Sequence, residues 1–131
     1  MGTRFEFGVG IDIESVSRFD LNDLKRNPSF YKKVFTSREI RYCKERACPG
    51  EHFAARFAAK EAVFKAFSDL GESPLEFGKI EIIGGGRGSP AAVVNVPPLK
   101  KSYEIKISLA HSGGMAIACA LIVRTGPVEE T

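Results

Sequence analysis

The order of elements written in this chain predicts an α+β domain. It should hold an N-terminal strand, helices including one long central helix, and then an antiparallel sheet. Three observations predict it. Apolar and small residues alternate with period two over Gly8–Ile13, a helix-capping signature opens the middle third, and four apolar runs broken by glycine or proline fill the last third. Strands alternating with helices, the mark of a doubly wound fold, are not written here.

Each element follows from its residues. Val9, Ile11 and Ile13 fall on one face of the first strand, and Gly8, Gly10 and Asp12 on the other. Ser15 suits the N-cap of a short helix carrying Val16, Phe19 and Leu24, and Pro28 interrupts it before a second short helix through Tyr31 to Phe35. Thr36-Ser37-Arg38-Glu39 is a capping box, so a helix should run from Ser37 to about Arg46, ended by Cys48-Pro49-Gly50. The longest helix spans about Glu51 to Asp69, with Gly71 as its C-terminal cap. Strands are expected over Lys79–Ile83, Ala91–Val96, Tyr103–Leu109 and Met115–Val123. Gly84 to Gly88, Pro97-Pro98 and Ser112-Gly113-Gly114 separate them. One domain over 1–125 and a frayed tail over 126–131 complete the organisation.

Composition narrows the function classes. The chain has 131 residues, 44% hydrophobic and 27% charged, which fits one soluble globular domain with a real core. The longest apolar run, Met115 to Val123, is too short to span a bilayer, and the charged N-terminus lacks a secretory apolar stretch. Cys43, Cys48 and Cys119 are odd in number with no Cys-x-x-Cys pair, which argues against a disulfide framework or zinc cage. A cytoplasmic setting is the expectation. The net charge of +3 allows an acidic partner without requiring one.

Three positions break the surrounding pattern. Asp12 sits in an apolar strand, where aspartate is disfavoured, beside two glycines that clear its face of side chains. Glu61 and Lys65 border the Phe53–Phe57–Phe64 stripe of the long helix. Alone they would read as an i,i+4 ion pair worth about 0.2–0.5 kcal/mol. His111 ends a strand pattern next to Ser112-Gly113-Gly114, and by itself it reads as a half-exposed turn histidine. Together they supply two carboxylates, a lysine, a histidine and a glycine loop, a set suited to Mg²⁺ and a pyrophosphate.

At these residues the chain resembles a known family. Gly8-Val9-Gly10-Ile11-Asp12-Ile13 resembles the G-x-G-x-D motif of bacterial holo-acyl-carrier-protein synthases. The run Arg56-Phe57-Ala58-Ala59-Lys60-Glu61-Ala62-Val63-Phe64-Lys65-Ala66 resembles their R-F-A-x-K-E-A-x-x-K-A signature, and Ser108-Leu109-Ala110-His111-Ser112 their S-x-S-H-S. Coverage runs from about Phe7 to Arg124. Ala110 departs from the usual serine, and Gly84 to Pro90 is richer in glycine than the usual N-x-x-G-K-P turn. The resemblance implies the 4′-phosphopantetheinyl transferase fold and transfer of that group from coenzyme A to an acyl carrier protein serine, with 3′,5′-ADP released. It implies that Asp12 and Glu61 bind Mg²⁺, that Asp12, Glu61 and Lys65 are catalytic, and that Lys65, His111, Arg56, Gly88 and Pro90 contact coenzyme A. Glu61 is the first candidate for the base that activates the serine. Arg18 would receive the acidic carrier, with Lys25 and Arg26 beside it, and a homotrimer with active sites between subunits is implied.

Rival classes meet specific obstacles. A dinucleotide fingerprint needs a third glycine where Ile13 stands. A nucleic-acid module is prompted by a pI near 8.8 and ten phenylalanines, yet Phe53, Phe57 and Phe64 repeat at core spacing. A non-enzymatic carrier-binding module would keep Arg18 without needing Asp12, Glu61 and Lys65. Mass gain on an apo carrier incubated with coenzyme A and Mg²⁺ separates it from an enzyme.

Overall fold

A computed structural model describes residues 6–72, 76–85, 88–94 and 102–125. The expected tail over 126–131 lies outside them, as do Asn95 to Pro98, which hold the expected end of one strand and its proline separator. Strand β1 (Glu6–Ser15) leads through a 3₁₀ turn (Val16–Phe19) into helices α1 (Leu21–Arg26), α2 (Pro28–Val34), α3 (Ser37–Lys44) and α4 (Pro49–Asp69). Strands β2 (Ile80–Gly85), β3 (Gly88–Val94), β4 (Ser102–Ser112) and β5 (Met115–Thr125) follow. The α+β class stands. The strands divide into two antiparallel sheets rather than one, β1-β5-β4 and the hairpin β2-β3, and the N-terminal strand joins the C-terminal pair.

Local signals explain most boundaries. Thr36 Oγ1 accepts from the Glu39 N–H at 3.2 Å, and the Glu39 carboxylate accepts from the Thr36 N–H at 2.8 Å. That is the expected capping box. Gly71 (φ +80°) lets its own N–H reach Ser68 and the Glu72 N–H reach Phe67, closing α4 as a Schellman motif. Ser15 makes no capping bond. Asp20 caps α1 instead, accepting from the Asp23 N–H at 2.7 Å, because the chain after Ser15 tightens into the 3₁₀ turn first. Gly84 and Gly85 belong to β2 rather than to a separating loop. The register shifts between Ile83 and Gly85, and Gly84 (φ +77°) absorbs that bulge.

The face of β1 that meets the core is the glycine face. A Cβ on Gly10 would lie 1.9 Å from the Ala62 carbonyl oxygen, and one on Gly8 would lie 2.0 Å from that of Ala66. Only glycine admits this backbone contact. Small residues continue the fit on both sides, with Ala58, Ala59, Ala62 and Ala66 on α4 and Ala116, Ala118 and Ala120 on β5 all buried. What approaches the cleared face is therefore α4. Helix α4 buries its far side as well, against a cluster of Phe19, Tyr31, Phe35, Phe53 and Phe57. Tyr31 and Phe53 meet edge to face at 5.0 Å. Phe64, at the end of the expected stripe, is half-buried and packs on Phe77 at 5.7 Å.

The apolar face of β1 points the other way. Phe7, Val9, Ile11 and Ile13 are exposed, and the register sets them beside Val123, Leu121, Cys119 and Ile117 of β5. Among the described residues no helix is long and apolar enough to cross a membrane.

Candidate active site

The strand period carries four residues of β1 toward α4, namely Gly8, Gly10, Asp12 and Glu14. Where the glycines end, the carboxylates begin. Asp12 pairs with Ala118, which pairs with Leu109, while Glu14 pairs with Ala116, which pairs with His111. Asp12, Glu14 and His111 thus share the helix side of the sheet. Between the strands that carry them stand only the methyl groups of alanines.

Lys65 closes this corner from α4. Its Nζ lies 3.3 Å from Asp12 Oδ1 and donates to the Ile11 carbonyl at 3.0 Å. Asp12 is mostly buried, and its Oδ2 has no hydrogen-bond partner. One turn before Lys65, burial raises the Glu61 carboxyl above the ordinary carboxylate range. The nearby Asp12 charge adds to the shift, while Lys65 and Arg18 oppose it. Asp12 and Glu61 therefore lie within electrostatic reach of each other.

Glu14 is the carboxylate that sequence reasoning passed over. Its side chain is 13% exposed and paired to Arg18 at 3.0 Å, yet its pKa is raised to about 7. Burial is the largest cause, followed by the adjacent Asp12 carboxylate and then the charge of Glu61. These outweigh the arginine, which is half exposed and screened by water. The signal was available, because the alternation that places Asp12 beside Gly10 places Glu14 there too.

The donor set fits a hard divalent cation. A buried oxygen without a donor, beside carboxyls raised by burial and by the Asp12 charge, is relieved by a cation. Among the described residues no three His, Cys, Asp or Glu side chains converge to enclose a metal. An ion here would draw on one or two carboxylates and complete its shell from outside the chain, which is the habit of Mg²⁺ with phosphate oxygens and water.

A second, cationic patch lies at the start of α4. The Tyr42 ring is sandwiched between the guanidinium groups of Arg46, at 4.1 Å, and Arg56, at 4.0 Å, with His52 edge-on at 5.6 Å. Burial lowers the His52 pKa, and Arg56, Arg46 and His111 lower it further, so exposed His111 stands near this patch. Tyr42, Arg46 and His52 carried no motif and escaped notice. Arg56 is buried, and its Nη2 donates to the Gly84 carbonyl at 2.9 Å. Gly88 faces Gly85 at the hairpin end, and Pro90 is half-buried in β3.

Arg18 lies on the 3₁₀ turn over the Phe19 and Phe57 rings, at 5.1 and 5.4 Å, near enough to lower the Glu61 pKa. Lys25 and Arg26 are exposed in the last turn of α1. Lys25 borders an apolar groove of about 430 Å³ with Leu21, Leu24, Ile40, Lys32 and Lys44.

Comparison with known proteins decides the family. The family model described as "4′-phosphopantetheinyl transferase superfamily" matches residues 8–121. The chain belongs to this superfamily. Among curated relatives, a holo-[acyl-carrier-protein] synthase of Geotalea daltonii is 34% identical, over 88% of this chain and 97% of that protein. A Moorella thermoacetica protein of the same name is 38% identical, over 87% and 91%. A solved structure titled as a Chronobacterium ammoniagenes ACPS–CoA complex superposes with a TM-score of 0.74 at 28% identity. It covers 92% of this chain and 99% of that one. The superfamily match spans Asp12, Glu14, Glu61, Lys65 and His111 together.

Proposed function

We propose that this chain transfers the 4′-phosphopantetheinyl group of coenzyme A to a serine of an apo acyl carrier protein and releases 3′,5′-ADP. The observation that carries the reading is the buried, partnerless Asp12 oxygen facing a corner shared with Glu61 and Lys65, in a chain of this superfamily. Relatives named holo-[acyl-carrier-protein] synthase and a neighbouring structure with coenzyme A support the substrates.

In this reading Asp12 and Glu61 would hold Mg²⁺, which would supply charge neutralisation on the pyrophosphate. The serine oxygen forms a bond to the β-phosphorus of coenzyme A. The bond from that phosphorus to the bridging oxygen breaks, and the oxygen leaves with 3′,5′-ADP. Glu61, the first candidate for the base, takes the serine proton. Lys65 is pinned by Asp12 and Ile11 with about half its side chain exposed, so its ammonium is pre-aimed at an incoming phosphate. Arg46 offers positive charge to the nucleotide end, with Arg56 behind it and His111 nearby, and Gly88 and Pro90 line its approach along the hairpin.

Arg18 and the lysine-rimmed groove beside Lys25 and Arg26 receive the acidic carrier. Lys25, Lys32 and Lys44 surround an apolar floor, which suits an acidic amphipathic helix. The exposed stripe of Phe7, Val9, Ile11 and Ile13 supports assembly into a homotrimer, since large apolar surface on one sheet face is costly in water. That stripe backs the strand bearing Asp12 and Glu14, so the assembly brings a neighbouring subunit beside the site. Three unpaired thiols agree with a cytoplasmic setting.

The test is incubation with coenzyme A, Mg²⁺ and an apo carrier protein, followed by mass spectrometry of the carrier. One added 4′-phosphopantetheinyl group supports the reading. Carrier binding without mass gain would identify a binding module instead.

A further inference from the structure

Lys60, inside the central motif, takes no part in the corner where its neighbour Glu61 stands. Its Nζ lies 2.7 Å from Glu39 Oε1, and both side chains are fully buried. The ammonium also donates to the Phe77 carbonyl at 3.0 Å and to the Ile80 carbonyl. Glu39 in turn accepts from the Ile82 N–H and the Thr36 N–H, each at 2.8 Å. Three donors and three acceptances leave this buried pair satisfied.

The partners have a common address. Phe77, Ile80 and Ile82 precede or belong to β2, and one turn earlier on α4 Arg56 donates to Gly84 near the end of that strand. From α3, Thr36 Oγ1 donates to Glu81 at 2.6 Å and Arg38 lies 3.7 Å from the same carboxylate. Among the described residues the hairpin β2–β3 shares no strand ladder with the three-stranded sheet, although β3 lies close to β4. Two strands alone are marginal in water, so the seat of this hairpin is set by the packing of Ile80 and Ile82 in the core and by the polar groups that grip it.

We infer that Lys60, Glu39 and Arg56 are positioning residues that mount the β2–β3 hairpin on α4 and so set where coenzyme A lies relative to the carboxylate corner. The inference rests on the assignment of Gly88 and Pro90 to coenzyme A. Because Lys60 is bonded in sequence to Glu61, one turn of α4 holds both the mount and the proposed metal carboxylate. A shift in one is transmitted to the other through a rigid helix rather than through a loop.

The test uses the double variant Glu39→Gln/Lys60→Met, which strands no buried charge. The glutamine keeps one acceptor oxygen, so one of the Ile82 and Thr36 N–H groups also loses its partner, and the methionine removes the grip on Phe77 and Ile80. Two readouts are expected to split. KM for coenzyme A rises about tenfold while KM for the carrier stays unchanged, and amide exchange accelerates over Ile80–Gly84 but not over β1 and β5. Equal changes in both KM values, or uniform acceleration across both sheets, would show that the pair serves only stability. If the double variant does not fold, Glu39→Gln alone must show the same hairpin-selective exchange, and uniform exchange there overturns the mount. Failure of the unmodified protein to bind coenzyme A would remove the functional reading, while the exchange pattern would still decide the mount.

Discussion

Lys65 and Asp12 lie 53 residues apart in the chain, yet Lys65 Nζ is 3.3 Å from Asp12 Oδ1 and bonds the neighbouring Ile11 carbonyl. The lysine thereby caps an outward-facing carbonyl on edge strand β1, while Asp69, one turn further, accepts from the Val9 N–H at 3.1 Å. The edge of the sheet and the candidate site are sealed by the same helix. Lys65→Met should therefore lower kcat by about a hundredfold, the usual cost of losing one electrostatic contact in a transition state. Steady-state transfer assays check this, with thermal melts to establish that the fold survives.

Asp12→Asn keeps the shape of the side chain and removes its charge. Transfer should fall about a hundredfold or more, and the response to added Mg²⁺ should weaken. A magnesium titration of activity in both proteins is the measurement. An unchanged magnesium midpoint in the variant would remove Asp12 from the metal site.

Gly10→Ala tests the backbone contact. The added methyl would sit 1.9 Å from a helix carbonyl, so α4 must move. A loss of about 3 kcal/mol is expected, at the upper end for overpacking, read by urea denaturation. Transfer activity should fall with it, because Glu61 and Lys65 travel on that helix.

Glu14 supplies a pH dependence. Its folded pKa of about 7 is above the ordinary value of 4.5, so the folded state holds this proton more tightly. Its contribution to stability is complete below 4.5 and is lost as pH rises through about 7. In EDTA, wild type should lose stability relative to Glu14→Gln across that window. Denaturation midpoints that stay parallel for the two proteins would contradict the burial argument.

The thiols report assembly. Burial pushes Cys43 up to about 12, so it should resist disulfide reagents until the chain unfolds. Cys48 and Cys119 are exposed in the single chain, but Cys119 pairs with Ile11 on the apolar sheet face. An assembled protein should expose one reactive thiol, and Ile11→Asp should expose two and migrate as a monomer. Light scattering alongside thiol titration checks both.

Much of this molecule was legible beforehand. The capping box at Thr36, the end of α4 at Gly71 and the β4–β5 hairpin at Gly113-Gly114 came from local chemistry, in which a few adjacent residues satisfy or free backbone groups. The motif residues Asp12, Glu61 and Lys65 were legible as breaks in an apolar pattern. Lys60 was not. A lysine between alanines looks solvated until the Glu39 carboxylate, from another helix, arrives beside it.

The sequence by itself determined the class of most elements, because periodicity and capping act over one or two turns. Only the tertiary structure decided which face of β1 would be buried. Alternation divides apolar residues from glycines but does not say that backbone contact with α4 outweighs the burial of Val9, Ile11 and Ile13. It also decided that Glu14 joins Asp12 and Glu61, since the proximity of charges on separate elements, and the pKa shifts that follow from it, exist only once helix and sheet have packed.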